Sequence, residues 1–197
     1  MKPLLISSLS IVLICQMFAQ EPVPINTQNI GVSRGTDYAL INDINTLEID
    51  KNNSQITFDF LSENTSGTIS GLDFKISLNP DDPDNASFKG TALVKTLDTD
   101  NFIRDGHLMW QKFFYKRKYP KISFESTQVV DFDNNTFKVV GNLTIKGTQK
   151  EAIITFTLDD QKLVGTTTLY TSDFDVNIHK EREKNKLNVR FYFPLLK

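Results

Sequence analysis

Arg104, Asp105 and His107 bring a guanidinium, a carboxylate and an imidazole within four residues of one another. These are side-chain types that general acid–base chemistry uses. On a helix, the three-residue spacing would put Arg104 and His107 on one face and turn Asp105 aside. The competing reading is a structural network that ties this segment to its surroundings. Nucleophilic catalysis needs a nucleophile, a base and an orienting acid in mutual reach. The sequence holds no G-x-S-x-G, and its single cysteine, Cys15, lies near the N-terminus. The second histidine, His179, sits in the charged stretch Asn177–Lys184, which reads as a solvated hairpin tip. Two histidines and one cysteine argue against a His-rich or Cys-cluster metal centre. No enzyme activity, metal or cofactor is therefore expected, and an enzyme using Arg104, Asp105 and His107 stands as a rival reading.

Charge offers a second chemistry. Twenty-two Lys and Arg against 24 Asp and Glu give a net charge of -2, without the basic excess that nucleic-acid binding requires. The one local excess is Lys112, Lys116, Arg117, Lys118 and Lys121. Such a cluster can receive a phosphate or carboxylate head group, or it can keep a rim of exposed aromatics soluble. Arg104, Lys112, Lys116 and Arg117 are the head-group candidates.

The N-terminus reads as an address. Lys2 supplies a positive n-region, Leu4–Ile14 is mostly apolar, and Ala19 precedes Gln20. This is the pattern of a secretory signal peptide over residues 1–19, cleaved after Ala19, and the apolar run is shorter than a membrane span of about 20 residues. Lipidation at Cys15 is disfavoured by Ile14 before it. Cleavage would remove the only thiol, which suits a periplasmic or secreted protein. Residues 20–45 carry Glu21-Pro22-Val23-Pro24, two glycines and several asparagines without sustained periodicity. They read as an extended arm, with a short strand near Tyr38–Ile41.

From residue 46 the period becomes two. Ile56, Phe58 and Phe60, then Leu72, Phe74, Ile76 and Leu78, alternate with polar residues, as do Leu187–Leu195 and, though Val140 breaks the polar side, Phe137–Ile145. Alternation of this kind gives each strand one buried and one wet face. Turn clusters at 79–85, 131–135 and 159–161 separate the strands. Long strands near 86–97, 136–146 and 186–196 in meander order favour a closed barrel. One segment, Asp100–Trp110, does not alternate. It reads as a short helical excursion capped by Asp98 or Asp100, with a strand resuming at Ile122–Phe124 and the segment closing one barrel end.

The chain carries 15 phenylalanines beside one tryptophan and five tyrosines. Phe58, Phe60, Phe74, Ile76, Phe88, Phe124, Phe137, Phe191 and Phe193 fall on inward strand positions. Phe102, Ile103, Leu108, Trp110, Phe113 and Phe114 fall in the excursion. These rings either pack into a dry core or line a lumen.

Several motifs resemble the YceI family in order. Ile103-Arg104-Asp105-Gly106-His107-Leu108 followed by Phe113-Phe114 is similar to its R-D-x-H-L and F-F-D stretch. Tyr119-Pro120-Lys121-Ile122-Ser123-Phe124 matches Y-P-x-I-x-F. Val140–Gly147 resembles V-x-G-x-L-T-I-x-G, and Ser172-Asp173-Phe174-Asp175-Val176 resembles the D-F-G-V element. Tyr115 replaces the usual Asp, Met109-Trp110 a more polar pair, and Asp175 the usual Gly. The resemblance covers about residues 46–197. It implies an all-β, eight-stranded antiparallel lipocalin-like barrel of exported bacterial proteins, some of which bind polyisoprenoids or other long-chain amphiphiles.

The expectation that follows is a barrel domain over 46–197 holding a long isoprenoid or fatty-acyl ligand for transport, storage or sequestration. Its candidate ligand contacts are Phe58, Phe60, Phe74, Ile76, Phe88, Phe102, Ile103, His107, Leu108, Trp110, Phe113, Phe114, Phe124 and Phe174. The alternative is a structural or interaction protein with a filled barrel. Oligomeric state stays open, a homodimer among the options.

Overall fold

The computed structural model describes residues 47–80, 82–132 and 134–196. The expected signal segment (1–19) and the whole of the expected arm (20–45), including Tyr38–Ile41, lie outside the described residues. The alternating segments form nine strands: β1 (Gln55–Phe60), β2 (Thr65–Ile69), β3 (Asp73–Ser77), β4 (Ser87–Leu93), β5 (Lys121–Phe132), β6 (Thr136–Ile145), β7 (Thr148–Asp159), β8 (Lys162–Tyr170) and β9 (Lys186–Pro194). One short helix, α1 (Phe102–Leu108), lies between β4 and β5. All pairings are antiparallel, in the order β2-β1-β9-β8-β7-β6-β5-β4-β3.

Nine segments rather than eight result from a bend. β2 and β3 run consecutively with only Ser70, Gly71 and Leu72 between them. The first half pairs with β1 and the second with β4. Gly71 takes φ 62° at the bend, and the Leu93 amide donates to the Ser70 carbonyl there. One bent strand therefore joins the two edges of the sheet, which removes the exposed-edge liability of an open sheet.

The register orients the ends. Phe60 pairs with Leu187, Tyr170 with Lys186, and Leu93 with Lys121, all toward the end that carries α1. At the far end lie Ser77, Thr136, Asp159 and Pro194. There Leu78, Phe88, Phe137, Val139, Phe156, Leu163 and Phe193 form the main buried cluster. Residues 47–50 cross this end: the Leu47 amide donates to the Leu78 carbonyl, and Ile49 bridges Leu195.

Turn chemistry follows the sequence. At the β7–β8 turn the Asp159 carboxylate accepts from the amides of Gln161 (3.1 Å) and Lys162 (3.0 Å). These bonds, led by the one from Gln161, hold its carboxyl below its ordinary range. Lys146 and Gly147, both at positive φ, make the two-residue β6–β7 hairpin.

Two expectations change. The strand sought at 86–97 stops at Leu93, because Val94–Thr96 forms a 3₁₀ turn whose Val94 amide donates to the Pro120 carbonyl. The helix cap is neither Asp98 nor Asp100. Asn101 has the extended backbone of an N-cap, and its side chain accepts from the Arg104 amide at 3.1 Å. Asp98 instead accepts from the Asp100 amide, and its backbone bridges Thr68 on β2.

Candidate functional site

The inward faces enclose a cavity of about 670 Å³, within the roughly 300–1,000 Å³ typical of small-molecule sites. Its walls carry Phe58 and Phe60 from β1, Phe74 and Ile76 from β3, Phe88 from β4, Phe124 from β5, Phe156 from β7, and Phe191 and Phe193 from β9. The rings leave a lumen because several lie flat on glycines of the neighbouring strand. Phe58 faces Gly67 and Phe156 faces Gly165 across the ladder. A Cβ on either glycine would come within 2.4 Å of the ring. Ring contacts concentrate toward the far end, with Phe74–Phe193 centroids 4.9 Å apart and Phe88–Phe156 5.0 Å apart. They form the floor.

The α1 end has a different chemistry. Ile103, Arg104, His107 and Leu108 line the cavity from one face of α1, and Phe113 and Phe114 from the turn after it. The Arg104 guanidinium donates from Nε to Thr99 Oγ1 (2.7 Å), from Nη2 to the Thr99 carbonyl (2.6 Å), and from Nη1 to Thr65 Oγ1 (3.3 Å). Asp105 turns away, accepting from the amide (3.0 Å) and hydroxyl (2.5 Å) of Thr99. Asp105 is thus occupied by the buried Thr99. Among the described residues Arg104 has no carboxylate partner, and a guanidinium offers five N–H donors. A half-buried cation with spare donors faces an apolar lumen.

His179 also lines this end, contrary to the expected solvated hairpin tip. Its ring stacks on Phe60 at 6.1 Å. Its Nε2 lies 2.7 Å from Glu63 Oε1, although off the line of a hydrogen bond, so the contact is an ion contact when the imidazole is protonated. Asn185 explains the placement. Fully buried, its Oδ1 accepts from the amides of Ile178 (2.9 Å) and His179 (3.0 Å). Its Nδ2 donates to the carbonyls of His179 (2.9 Å) and Glu181 (2.8 Å). One side chain folds residues 178–185 over the rim. Period-two reading could not find it, since a lone Asn in a charged run carries no periodic signal.

Of the sequence candidates, Phe58, Phe60, Phe74, Ile76, Phe88, Ile103, Arg104, His107, Leu108, Phe113, Phe114 and Phe124 line the cavity. Phe102, Trp110, Phe174, Lys112, Lys116 and Arg117 are not among the lining residues. Phe174 is buried with Ile145 and Val176 in a separate cluster beneath the rim. Phe102 is 85% exposed, because the lining face of α1 points it outward, and Trp110, in the turn after α1, is 60% exposed with its ring on His107 (centroids 4.4 Å apart). Lys112, Lys116 and Arg117 are exposed on the following turn. Two departures from the family motifs share one geometry: Tyr115 (φ 49°) and Asp175 (φ 59°) are both left-handed. Asp suits that conformation far better than Tyr does.

The chain matches the YceI-like domain over residues 47–194. A UPF0312 protein of Ectopseudomonas mendocina (strain ymp) is 28% identical over 120 residues, 56% of this chain and 63% of that protein. A UPF0312 protein of Yersinia pestis (strain Pestoides F) is 34% identical over 95 residues, 47% of this chain and 46% of that one. The chain thus spans about half to under two-thirds of the length of these curated relatives. Among solved structures, Burkholderia cenocepacia BcnA superposes with TM-score 0.68 at 18% identity, over 75% of this chain and 99% of that one. A polyisoprenoid binding domain from Saccharophagus degradans, implicated in plant cell wall breakdown, gives TM-score 0.54 at 11% identity, over 75% and 95%. These structural likenesses carry the fold.

Proposed function

The chain belongs to the YceI-like family, and from that premise we propose that it binds one long-chain amphiphile of isoprenoid or fatty-acyl type inside its barrel. The observation that carries this reading is the open lumen of about 670 Å³ between a phenylalanine floor and the α1 rim. A filled barrel would have no such space. Each methylene buried there gains about 0.8 kcal/mol, so a partly enclosed chain suffices for tight binding. The polyisoprenoid-binding description of the Saccharophagus domain supports the same ligand class. The protein acts as an exported carrier, store or sequestering agent in the periplasm or outside the cell, following the N-terminal signal pattern.

Arg104 receives the head group. Its spare N–H donors lie at the polar end of an apolar lumen, and a carboxylate or phosphate there would complete the shell of a cation held, among the described residues, by Thr65 and Thr99. No catalytic step is proposed: Asp105 is committed to Thr99, not to His107.

The experiment is titration with a fluorescent long-chain fatty acid and the matching alcohol. Ala152 lines the cavity wall, and Ala152→Trp is expected to abolish uptake of both probes while the fold persists by circular dichroism. Arg104→Gln is expected to weaken the acid about tenfold or more, the scale of one charge-assisted hydrogen bond, and to leave the alcohol nearly unchanged. Equal uptake by wild type and Ala152→Trp would refute a ligand inside the barrel.

A further inference from the structure

Large apolar side chains of α1 and of the turn after it stay at the surface, where the Trp110 ring rests on His107 with centroids 4.4 Å apart. Phe102 is 85% exposed, Ile103 56% and Trp110 60%. Exposed rings of this size are the informative departure on a protein surface. The turn that follows folds back against the end of α1: the Phe114 amide donates to the Leu108 carbonyl (3.0 Å), the Phe113 and Tyr115 amides both donate to the Trp110 carbonyl, and the Lys116 amide donates to that of Met109. This places Lys112, Lys116, Arg117 and Lys118, all exposed, on the same short excursion as the rings. From Gly106 to Phe124 the sequence has five Lys and Arg and no Asp or Glu, in a chain whose net charge is -2. Aromatic rings flanked by long basic side chains match the two layers of a lipid surface. The rings enter the head-group boundary, and the ammonium and guanidinium groups meet anionic phosphates. Ile103 is both exposed and cavity-lining, so the patch lies where the lumen reaches the surface.

We propose that the outer face of α1 and the basic turn after it form a docking surface for an anionic lipid bilayer, positioned so that the lumen opens toward the membrane. The inference builds on the proposed lipid cargo but concerns a separate surface, so the two can fail separately. Charge complementarity favours a bilayer over a second copy of this chain, whose identical patch would bring four cations against four.

The single tryptophan makes the test direct. The full chain is mixed with vesicles of phosphatidylcholine alone, or of an equal mixture of phosphatidylcholine and phosphatidylglycerol. Trp110 emission and co-flotation are then read. Docking requires a blue shift and flotation with the anionic vesicles, both weakened by salt. The triple variant Lys112→Glu, Lys116→Glu, Arg117→Glu is expected to lose about a hundredfold in partitioning, and Phe102→Ser to weaken it with charge intact. Both variants should still take up a soluble long-chain probe. Vesicle binding without probe uptake supports docking and removes the cargo reading; probe uptake without vesicle binding does the reverse. An unmoved Trp110 overturns the docking surface. So does salt-independent binding to neutral vesicles, or a concentration-dependent blue shift without vesicles, which would mean that another copy covers the patch.

Discussion

The two ends of the barrel are built from the same strands and closed by opposite chemistry. At the far end the rings of Phe74, Phe88, Phe156, Phe191 and Phe193 touch one another. Leu78, Phe137 and Leu163 fill the space beneath them. At the α1 end, closure runs through hydrogen bonds: Thr99 between Arg104 and Asp105, and Asn185 across residues 178–185. Apolar closure is dense, non-directional and tolerant of no cavity. Polar closure is local, so a rim can be held in place without filling the lumen below it. The difference shows how a small barrel supports both a stable core and an open mouth.

Truncation at the far end should have the largest effect on stability. Phe137 is 1% exposed, and Phe137→Ala is expected to cost about 3–5 kcal/mol, read from denaturant midpoints. A loss below 1 kcal/mol would mean that the floor is not the main source of stability. The matching cut at the rim is Asn185→Leu. It frees two amides and two carbonyls that are only part-buried, so water reaches most of them and the total cost is expected at about 1–3 kcal/mol. A smaller total than for Phe137→Ala is expected, with hydrogen exchange rising selectively over residues 178–185. Exchange spreading evenly through β6 and β7 would show that the two ends are not separately held.

The smallest effect belongs to the rim's ion pair. Arg182 donates to both oxygens of Asp173 at 2.8 and 2.7 Å and covers the Tyr170 ring. The guanidinium holds the Asp173 carboxyl below its ordinary value. A lowered folded value means that the stabilisation is present above the ordinary carboxylate range and is lost as pH falls through the lowered value. Both partners are partly exposed, so Asp173→Asn should cost no more than about 1 kcal/mol near neutrality. The gap from wild type should narrow as pH falls below the ordinary carboxylate range and close once Asp173 is protonated in the folded chain. A gap that widens on acidification would reverse the assigned sign.

Legibility in the sequence followed the same division. The wall was readable because inward and outward residues alternate along β1, β3 and β9 and, but for Val140, along β6, and burial enforces that alternation. Eight strands became nine segments because the bend at Gly71 moves the inward set from odd positions (Thr65, Ile69) to even ones (Leu72, Phe74, Ile76), so no single alternation runs through β2 and β3. The rim was readable only where motif and helix spacing coincided, as for Arg104 and His107 on one face of α1. His179, Glu63 and Asn185 come together through chain folding between 61 and 185, and no local pattern marks them. Phe102 and Trp110 look like lining rings in the sequence because hydrophobicity alone says neither on which side of a two-turn helix Phe102 falls nor which way the turn after it carries Trp110.

Organic extraction of the purified full-length chain, followed by mass spectrometry, bears most directly on the open barrel. A ligand-holding lumen requires a long-chain lipid recovered near one equivalent per chain, and its loss in Ala152→Trp. Recovery of no stoichiometric lipid, together with no uptake of long-chain probes by the delipidated protein, would contradict it.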